Sequence, residues 1–147
     1  MNDRNYPLLT KLFLDLEVEL HPTSMSFGVE TDYLKWCSND FLKLKFLRSL
    51  KKIRLFFEMI RFNSLASDVK SNSSIEDWLR ENNFSDFFRE NYIFPMSASI
   101  WSSSQESINK FPMRSLSSFF KNHGLLDLIK RPQWFSVLGG SNTYIDK

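Results

Sequence analysis

The sequence predicts an α+β fold that is mainly helical. Apolar residues recur at helical spacing in several segments, one short stretch alternates as a strand does, and a second strand-like stretch lies near the C-terminus. At 147 residues, with 42% hydrophobic and 24% charged residues, the chain has the size and composition of an ordinary globular domain. This composition is neither that of a disordered protein nor that of a membrane-spanning one.

The first predicted elements are a short helix and a β-hairpin. The apolar face of the helix consists of Leu8, Leu9, Leu12, Phe13 and Leu16. Pro7 suits the first helical turn, and Asn5 is expected to cap the free amides. Residues 25–29 then alternate between apolar and polar, Thr31-Asp32 can turn the chain, and residues 33–37 supply the second strand of a hairpin with one buried face.

A basic amphipathic segment follows, between Phe41 and about Ala66, and predicts one or two helices. Its wide apolar stripe joins one line through Phe46, Leu50, Ile53, Phe57 and Ile60 to a second through Leu55, Met59 and Phe62. Its cations are Lys43, Lys45, Arg48, Lys51, Lys52, Arg54 and Arg61. The acidic residue among them is Glu58. Such a helix can lie on an anionic membrane surface, and the alternative is a solvated face over an ordinary core stripe.

Helix boundaries in the second half are predicted from caps and prolines. Ser74 and Ser85 are expected N-caps, and Pro95 is expected to kink or end the helix that begins after Ser85. Pro112 restarts a helix, which should stop at Gly124 because a glycine tolerates the left-handed conformation that follows a helix end.

The chain closes with a strand from Trp134 to Leu138 and the turn Gly139-Gly140-Ser141, which is expected to open a helix with Ser141 as its cap. This strand has no evident partner, so its sheet is expected to lie outside the chain. The new helix has room for only one turn before Lys147. A piece of a longer protein is therefore expected.

Several kinds of chemistry find no support in the residues. The single cysteine, Cys37, excludes an internal disulfide, and with two histidines, His21 and His123, no metal site is predicted. A net charge of +2 gives no reason to expect nucleic acid as a partner. His123 stands beside a predicted helix C-terminus, where a structural role is favoured over a catalytic one. The absence of an export signal favours the cytoplasm.

Several short segments, taken together and in order, resemble one family. They are Asn5-Tyr6-Pro7, Met25–Val29, Tyr92–Trp101, Phe111-Pro112, Phe119–Leu126, Arg131–Trp134 and Gly139-Gly140-Ser141. The chain resembles the middle of a bacterial FAD-dependent oxidoreductase of the flavin amine oxidase superfamily, in its NAD(P)/FAD-binding, amine-oxidase-like branch. The resemblance spans nearly the whole chain, and the block from Phe119 to Ser141 is its most specific part.

The resemblance implies a substrate domain inserted between two segments of an FAD-binding domain. Residues 1–138 would be the substrate-domain portion, and residues 139–147 the start of the return to the FAD-binding domain. FAD would be the cofactor of the full-length parent. The glycine fingerprint that binds the FAD phosphates is absent from this chain, so FAD is expected to bind to the parent and not to these residues alone. The chain alone is expected to hold no FAD and to be inactive.

The resemblance also implies which residues line or approach the cavity for substrate and flavin. These are Met96, Ile100, Trp101, His123, Arg131 and Trp134. The alternative for each is a packed domain interface. The implied substrate is a hydrophobic or amine small molecule, with a lipid acyl chain as one candidate, and an anionic surface on the inner face of the membrane is a candidate partner. The competing function is a non-catalytic helical module that binds a membrane surface or a partner protein.

Overall fold

The computed structural model describes residues 1–41, 43, 46–128 and 131–145. Helices hold 55% of the chain and strands 12%, so the predicted α+β, mainly helical class is confirmed. The chain divides into two compact units. The terminal unit consists of Met1–Met25 and Asn122–Lys147, and the central unit consists of Ser26–Lys121.

The terminal unit is organised by two strands that are distant in sequence. Its elements are α1 (Pro7–Asp15), β1 (Leu20–Thr23), β4 (Trp134–Val137) and α8 (Asn142–Ile145). The strands β1 and β4 pair antiparallel, from Leu20 opposite Val137 to Thr23 opposite Trp134. The N-terminal ammonium extends this pairing, since it donates a hydrogen bond of 2.7 Å to the carbonyl of Phe135.

Two expectations about this unit are wrong. The partner of the C-terminal strand lies within the chain, in β1, and not in a sheet outside it. The sequence concealed β1 because Pro22 lacks a backbone N–H, which confines proline to sheet edges and makes a strand hard to recognise. Asn5 also does not cap α1: the N-cap is Tyr6, without a side-chain hydrogen bond, and the Asn5 amide instead donates to Asn2 Oδ1 at 2.8 Å.

The central unit contains the predicted hairpin and most of the helices. The hairpin is β2 (Gly28–Glu30) paired antiparallel with β3 (Lys35–Cys37). The helices are α2 (Leu50–Leu65), α3 (Ile75–Glu81), α4 (Asp86–Phe88), α5 (Phe94–Trp101), α6 (Gln105–Lys110) and α7 (Met113–Asn122). Short 3₁₀ turns occupy Ser38–Asp40, Phe46–Arg48 and Ala66–Asp68.

The two predicted serine caps are confirmed. Ser74 Oγ accepts a hydrogen bond of 3.1 Å from the Asp77 amide at the start of α3. Ser85 Oγ accepts one of the same length from the Phe88 amide at the start of α4. Each bond satisfies an amide that has no partner inside the helix, which typically contributes about 1 kcal/mol.

Pro95 does not end the helical run that begins at Ser85, because the run first widens into a π-helix over Arg89–Ile93 and then continues as α5. A proline inside an α-helix has no N–H to donate to the carbonyl four residues earlier, so that carbonyl loses its helical hydrogen bond. For Pro95 this is the carbonyl of Asn91. The Asn91 carbonyl instead accepts a buried hydrogen bond of 2.8 Å from the indole of Trp36 in the hairpin. The wider turn therefore accommodates the proline and fastens β3 to the helix.

An aromatic cluster forms the core of the central unit, with Phe62 of α2 at its centre. The rings of Trp78, Phe84, Phe88 and Phe120 lie with their centroids between 5.7 and 6.1 Å from that of Phe62. These pairs adopt edge-on or tilted geometries, which contribute about 0.5–1.5 kcal/mol each beyond the burial of their area.

Only one of the two apolar lines on α2 faces this core. Leu55, Met59 and Phe62 are buried, whereas Leu50, Phe57 and Ile60 are 85%, 65% and 38% exposed. The latter three residues therefore lie outside the core. One helix turns a single side to its neighbours, and the aromatic cluster fixes which side that is. Within the described part of the chain, no helix combines the length and apolarity required to cross a bilayer.

Candidate functional site

The six predicted cavity residues divide between the two units. His123, Arg131 and Trp134 belong to the terminal unit, and Met96, Ile100 and Trp101 lie on α5 in the central unit. Each unit thus carries one group of three predicted residues.

In the terminal unit, His123 and Trp134 are in contact. Their rings stack with centroids 6.1 Å apart and planes inclined by 13°. Tyr6 contacts Trp134 edge-on, with its ring centroid 6.3 Å from that of Trp134. Sequence reasoning placed Tyr6 in a matching segment and not in the cavity, because nothing in the local pattern connects it to Trp134. An imidazole, an indole and a phenol together make a half-exposed surface suited to flat, apolar or cationic groups.

The stack is supported by a close approach between Gly124 and Pro132. The prediction that α7 stops before a left-handed glycine is confirmed, since α7 ends at Asn122 and Gly124 has φ +65°. A Cβ at Gly124 would lie 2.6 Å from Pro132 Cδ, so the two segments can approach this closely only with a glycine at position 124. This contact joins the segment of His123 to the segment of Trp134.

Two arginines approach the same turn. Arg131 Nε donates a hydrogen bond of 3.0 Å to the Asp127 carbonyl, and Arg4 Nη1 lies 3.5 Å from Asp127 Oδ2. Both partners of the ion pair are about half exposed, so the pair adds little stability. Together the two contacts bring both guanidinium groups to Asp127, Arg4 at its carboxylate and Arg131 at its backbone carbonyl.

The α5 residues differ in how accessible they are. Met96 is 4% exposed and packs in the core of the central unit. Ile100 and Trp101 are half-buried, and Trp101 contacts Phe111 and Phe119 with centroids 4.9 and 5.2 Å away. Trp101 therefore stands at the edge of an aromatic group, with part of its indole open to a ligand.

The turn Gly139-Gly140-Ser141 follows β4, as predicted. Gly139 and Gly140 have φ +79° and +85°, and α8, which they precede, is only four residues long. FAD phosphates require closely spaced glycines at the start of a full helix, and the four glycines of this chain contain no G-x-G-x-x-G pattern. These residues do not fit an FAD phosphate site.

The predicted cationic candidates for a membrane surface lie in and before α2. Lys45 lies outside the described residues. Lys43 forms an exposed ion pair of 2.6 Å with Asp40, and this hydrogen bond together with the Asp40 charge raises the pKa of Lys43 above the ordinary lysine value. Arg48 and Lys51 are exposed, and Lys52 is half-buried with its ammonium 5.6 Å from the centre of the Phe46 ring.

Cations and exposed apolar residues share one side of α2, which we call the α2 outer face. It comprises Leu50, Lys51, Arg54, Phe57, Ile60 and Arg61. Leu50 and Phe57 lie two turns apart on the same side of the helix. Arg54 pairs with Glu58 at 3.2 Å, and Arg61 covers the Phe84 ring at 4.3 Å. The sequence predicted the cations of this face, and the structure shows that Leu50, Phe57 and Ile60 are exposed beside them.

No group of three or more histidine, cysteine, aspartate or glutamate side chains suited to a metal ion occurs within residues 1–41, 43, 46–128 and 131–145. A scan against protein-family models gives no match for this chain, and no curated protein matches it.

Proposed function

We propose that this chain supplies the substrate-binding portion of an FAD-dependent oxidoreductase that is similar to the flavin amine oxidases. The observation that supports this proposal is the contact between two of the predicted cavity residues, since the rings of His123 and Trp134 stack with centroids 6.1 Å apart. The resemblance implies that these residues line or approach the cavity for substrate and flavin.

In this proposal the flavin is held by residues outside these 147, because the glycines present here do not fit its phosphates. The chain contributes surfaces for a hydrophobic or amine substrate. The stack of His123 on Trp134 offers π-faces that attract both apolar groups and cations, and the half-buried Trp101 offers another. The aromatic residues would bind and orient the substrate without taking part in the redox step.

Flavin content tests the first part of the proposal. The complete reading frame that contains this sequence is expressed beside the 147-residue chain, and visible flavin absorbance is measured on both purified proteins. We expect stoichiometric flavin on the longer product and none on the 147-residue chain. A reading frame limited to these residues, a longer product without flavin, or flavin on the short chain would contradict the proposal.

Substrate binding is tested on the flavin-containing product by anaerobic flavin reduction with benzylamine and with oleate. Trp134→Ala removes an aromatic face from the stack. We expect KM to rise about tenfold, because the substrate loses the binding free energy of one large apolar contact. Tyr33→Ala is the matched control, since Tyr33 is 74% exposed and belongs to neither group of cavity residues. Equal effects of the two substitutions would count against a substrate-binding role.

We propose a second candidate, a helical module that docks on an anionic membrane, because one observation favours it. The α2 outer face exposes Leu50 and Phe57 among cations, which is the pattern of helices that lie in a membrane interface. The basic side chains would be drawn to anionic lipids, and the apolar ones would be buried among the acyl chains.

Liposome flotation tests this candidate with vesicles of phosphatidylcholine, with or without phosphatidylglycerol. We expect binding only with the anionic lipid, and a loss of at least about tenfold for Leu50→Ser with Phe57→Ser. Leu8→Ser with Leu14→Ser is the control, because these α1 residues are 83% and 72% exposed and α1 carries a single cation, Lys11. Equal losses for both pairs, or binding unchanged when Lys51, Lys52 and Arg54 become glutamine, would refute docking through α2.

A further inference from the structure

A polar cleft of about 350 Å³ lies between α7 and the segment that follows α2. Its lining consists of Ser67, Asp68, Val69, Lys70, Arg114, Ser117, Ser118 and Lys121. The four α7 residues are spaced at positions i, i+3, i+4 and i+7, which places them on one face of the helix. The cleft is thus a helix face opposed by a short loop, within the central unit.

Two hydrogen bonds hold the walls of this cleft together. The buried Ser117 hydroxyl donates to the Ala66 carbonyl at 2.5 Å. Lys121 Nζ donates to the Ser67 carbonyl at 3.2 Å. The loop therefore has a fixed position against α7 before any ligand arrives, which reduces the entropic cost of binding.

The cleft has an excess of unused cationic donors. Arg114 makes no ion pair or hydrogen bond with any residue in the described part of the chain, so its five N–H groups are available. Lys121 uses one of its three N–H groups on Ser67 and keeps two. The carboxylate in the lining, Asp68, lies 3.6 Å from Lys70, which offsets its charge.

We propose that this cleft binds a phosphate group, either free or as a phosphomonoester. Arg114 presents a planar fork that can meet two phosphate oxygens at once, and Lys121 adds a second charge from the next turns of the same face. The Ser118 hydroxyl supplies a neutral donor between them. This site goes beyond the proposed function and depends on neither the flavin nor the α2 outer face.

The test is a titration of the 147-residue chain with inorganic phosphate at constant ionic strength, in which ¹H–¹⁵N NMR spectra monitor the backbone amides. We expect saturable shifts confined to the amides of residues 66–70 and 114–121. Arg114→Gln with Lys121→Gln should weaken binding at least about tenfold, since both charge-assisted contacts are lost. Arg80→Gln with Lys110→Gln is the matched control, because it removes the same charge from two exposed residues outside the cleft lining, and it should change binding less than about twofold.

The source of the phosphate group is decided by flotation with phosphatidylcholine vesicles, with or without phosphatidate. Phosphate binding without flotation identifies a soluble ligand. Flotation that needs phosphatidate and is lost in the Arg114 and Lys121 double variant identifies a lipid headgroup. The proposal is overturned if neither probe binds, if chloride at equal ionic strength produces the same shifts, or if the control double variant loses binding to the same extent.

Discussion

Replacing Gly124 by alanine should destabilise the terminal unit through two separable effects. The first is conformational, because Gly124 has φ +65° and an L-residue in the left-handed region costs about 1–2 kcal/mol. The second is steric, because the new Cβ would lie 2.6 Å from Pro132 Cδ, an atom of a rigid ring that cannot rotate away. Overpacking of this kind costs about 1–3 kcal/mol. Alanine also reduces the entropy of the unfolded chain, so we expect a net loss of about 2–4 kcal/mol.

Two further variants separate these effects. Gly140 has φ +85° but nothing within 4 Å of a Cβ, so Gly140→Ala should cost only about 1 kcal/mol from backbone strain. Pro132→Ala removes the ring atoms that the new Cβ of Gly124→Ala would meet. In the Pro132→Ala background, Gly124→Ala should also cost about 1 kcal/mol. The difference between the cost of Gly124→Ala in the wild-type and in the Pro132→Ala background is the coupling energy of a double-mutant cycle.

The free energy of unfolding is measured by urea titration of protein labelled with 5-fluorotryptophan, using the ¹⁹F resonance of Trp134. This tryptophan belongs to the terminal unit, whereas Trp36, Trp78 and Trp101 belong to the central one. The reasoning is refuted if Gly124→Ala and Gly140→Ala agree within about 0.5 kcal/mol, or if Pro132→Ala leaves the cost of Gly124→Ala unchanged.

Three other substitutions test single contacts in the central unit. Ser117→Ala should lower the unfolding free energy by about 1 kcal/mol in a urea titration, because the buried Ala66 carbonyl loses its 2.5 Å donor. Asn63→Leu should raise it by about 1 kcal/mol, since both polar side-chain atoms of Asn63 are buried without a hydrogen bond to the described residues, and a destabilised variant would contradict this. Asp40→Asn should lower the pKa of Lys43 in an NMR titration of its side chain. Because the pKa is raised, the contact between Lys43 and Asp40 stabilises the fold at pH values below the unfolded-state pKa of Lys43. This stabilisation is lost as the pH rises through the folded-state pKa. A Lys43 pKa that is unchanged in Asp40→Asn would rule out a stabilising contact with Asp40.

The parts of the fold that the sequence predicted depend on neighbours within a few residues. Ser74 and Ser85 cap helices that begin at the next residue, and Gly124 follows the end of α7 by two positions. Caps and left-handed glycines depend on local backbone groups, so the sequence around them suffices. The hairpin was predictable for the same reason, because its turn joins adjacent strands.

The parts that the sequence missed depend on distant partners. Residues 20–23 become a strand only because residues 134–137 lie beside them, and Pro22 obscures their strand character. On α2, periodicity gave two apolar lines but could not say which of them meets the aromatic cluster. In the candidate site, the contact of Tyr6 with Trp134 likewise joins the two ends of the chain, and no short-range pattern encodes it.

The pairing of β1 with β4 also has a consequence for the order in which the protein folds. The hydrogen bond between Met1 and Phe135 joins residues 134 positions apart, and closing a flexible loop of that length costs about 4 kcal/mol in entropy. The contacts of the central unit are all available once Lys121 has been synthesised, so that unit can fold first and leave a much shorter flexible chain between the strands. During synthesis, β1 therefore has no partner until residues 134–137 have been made, and we expect the two strands to pair after the central unit has folded.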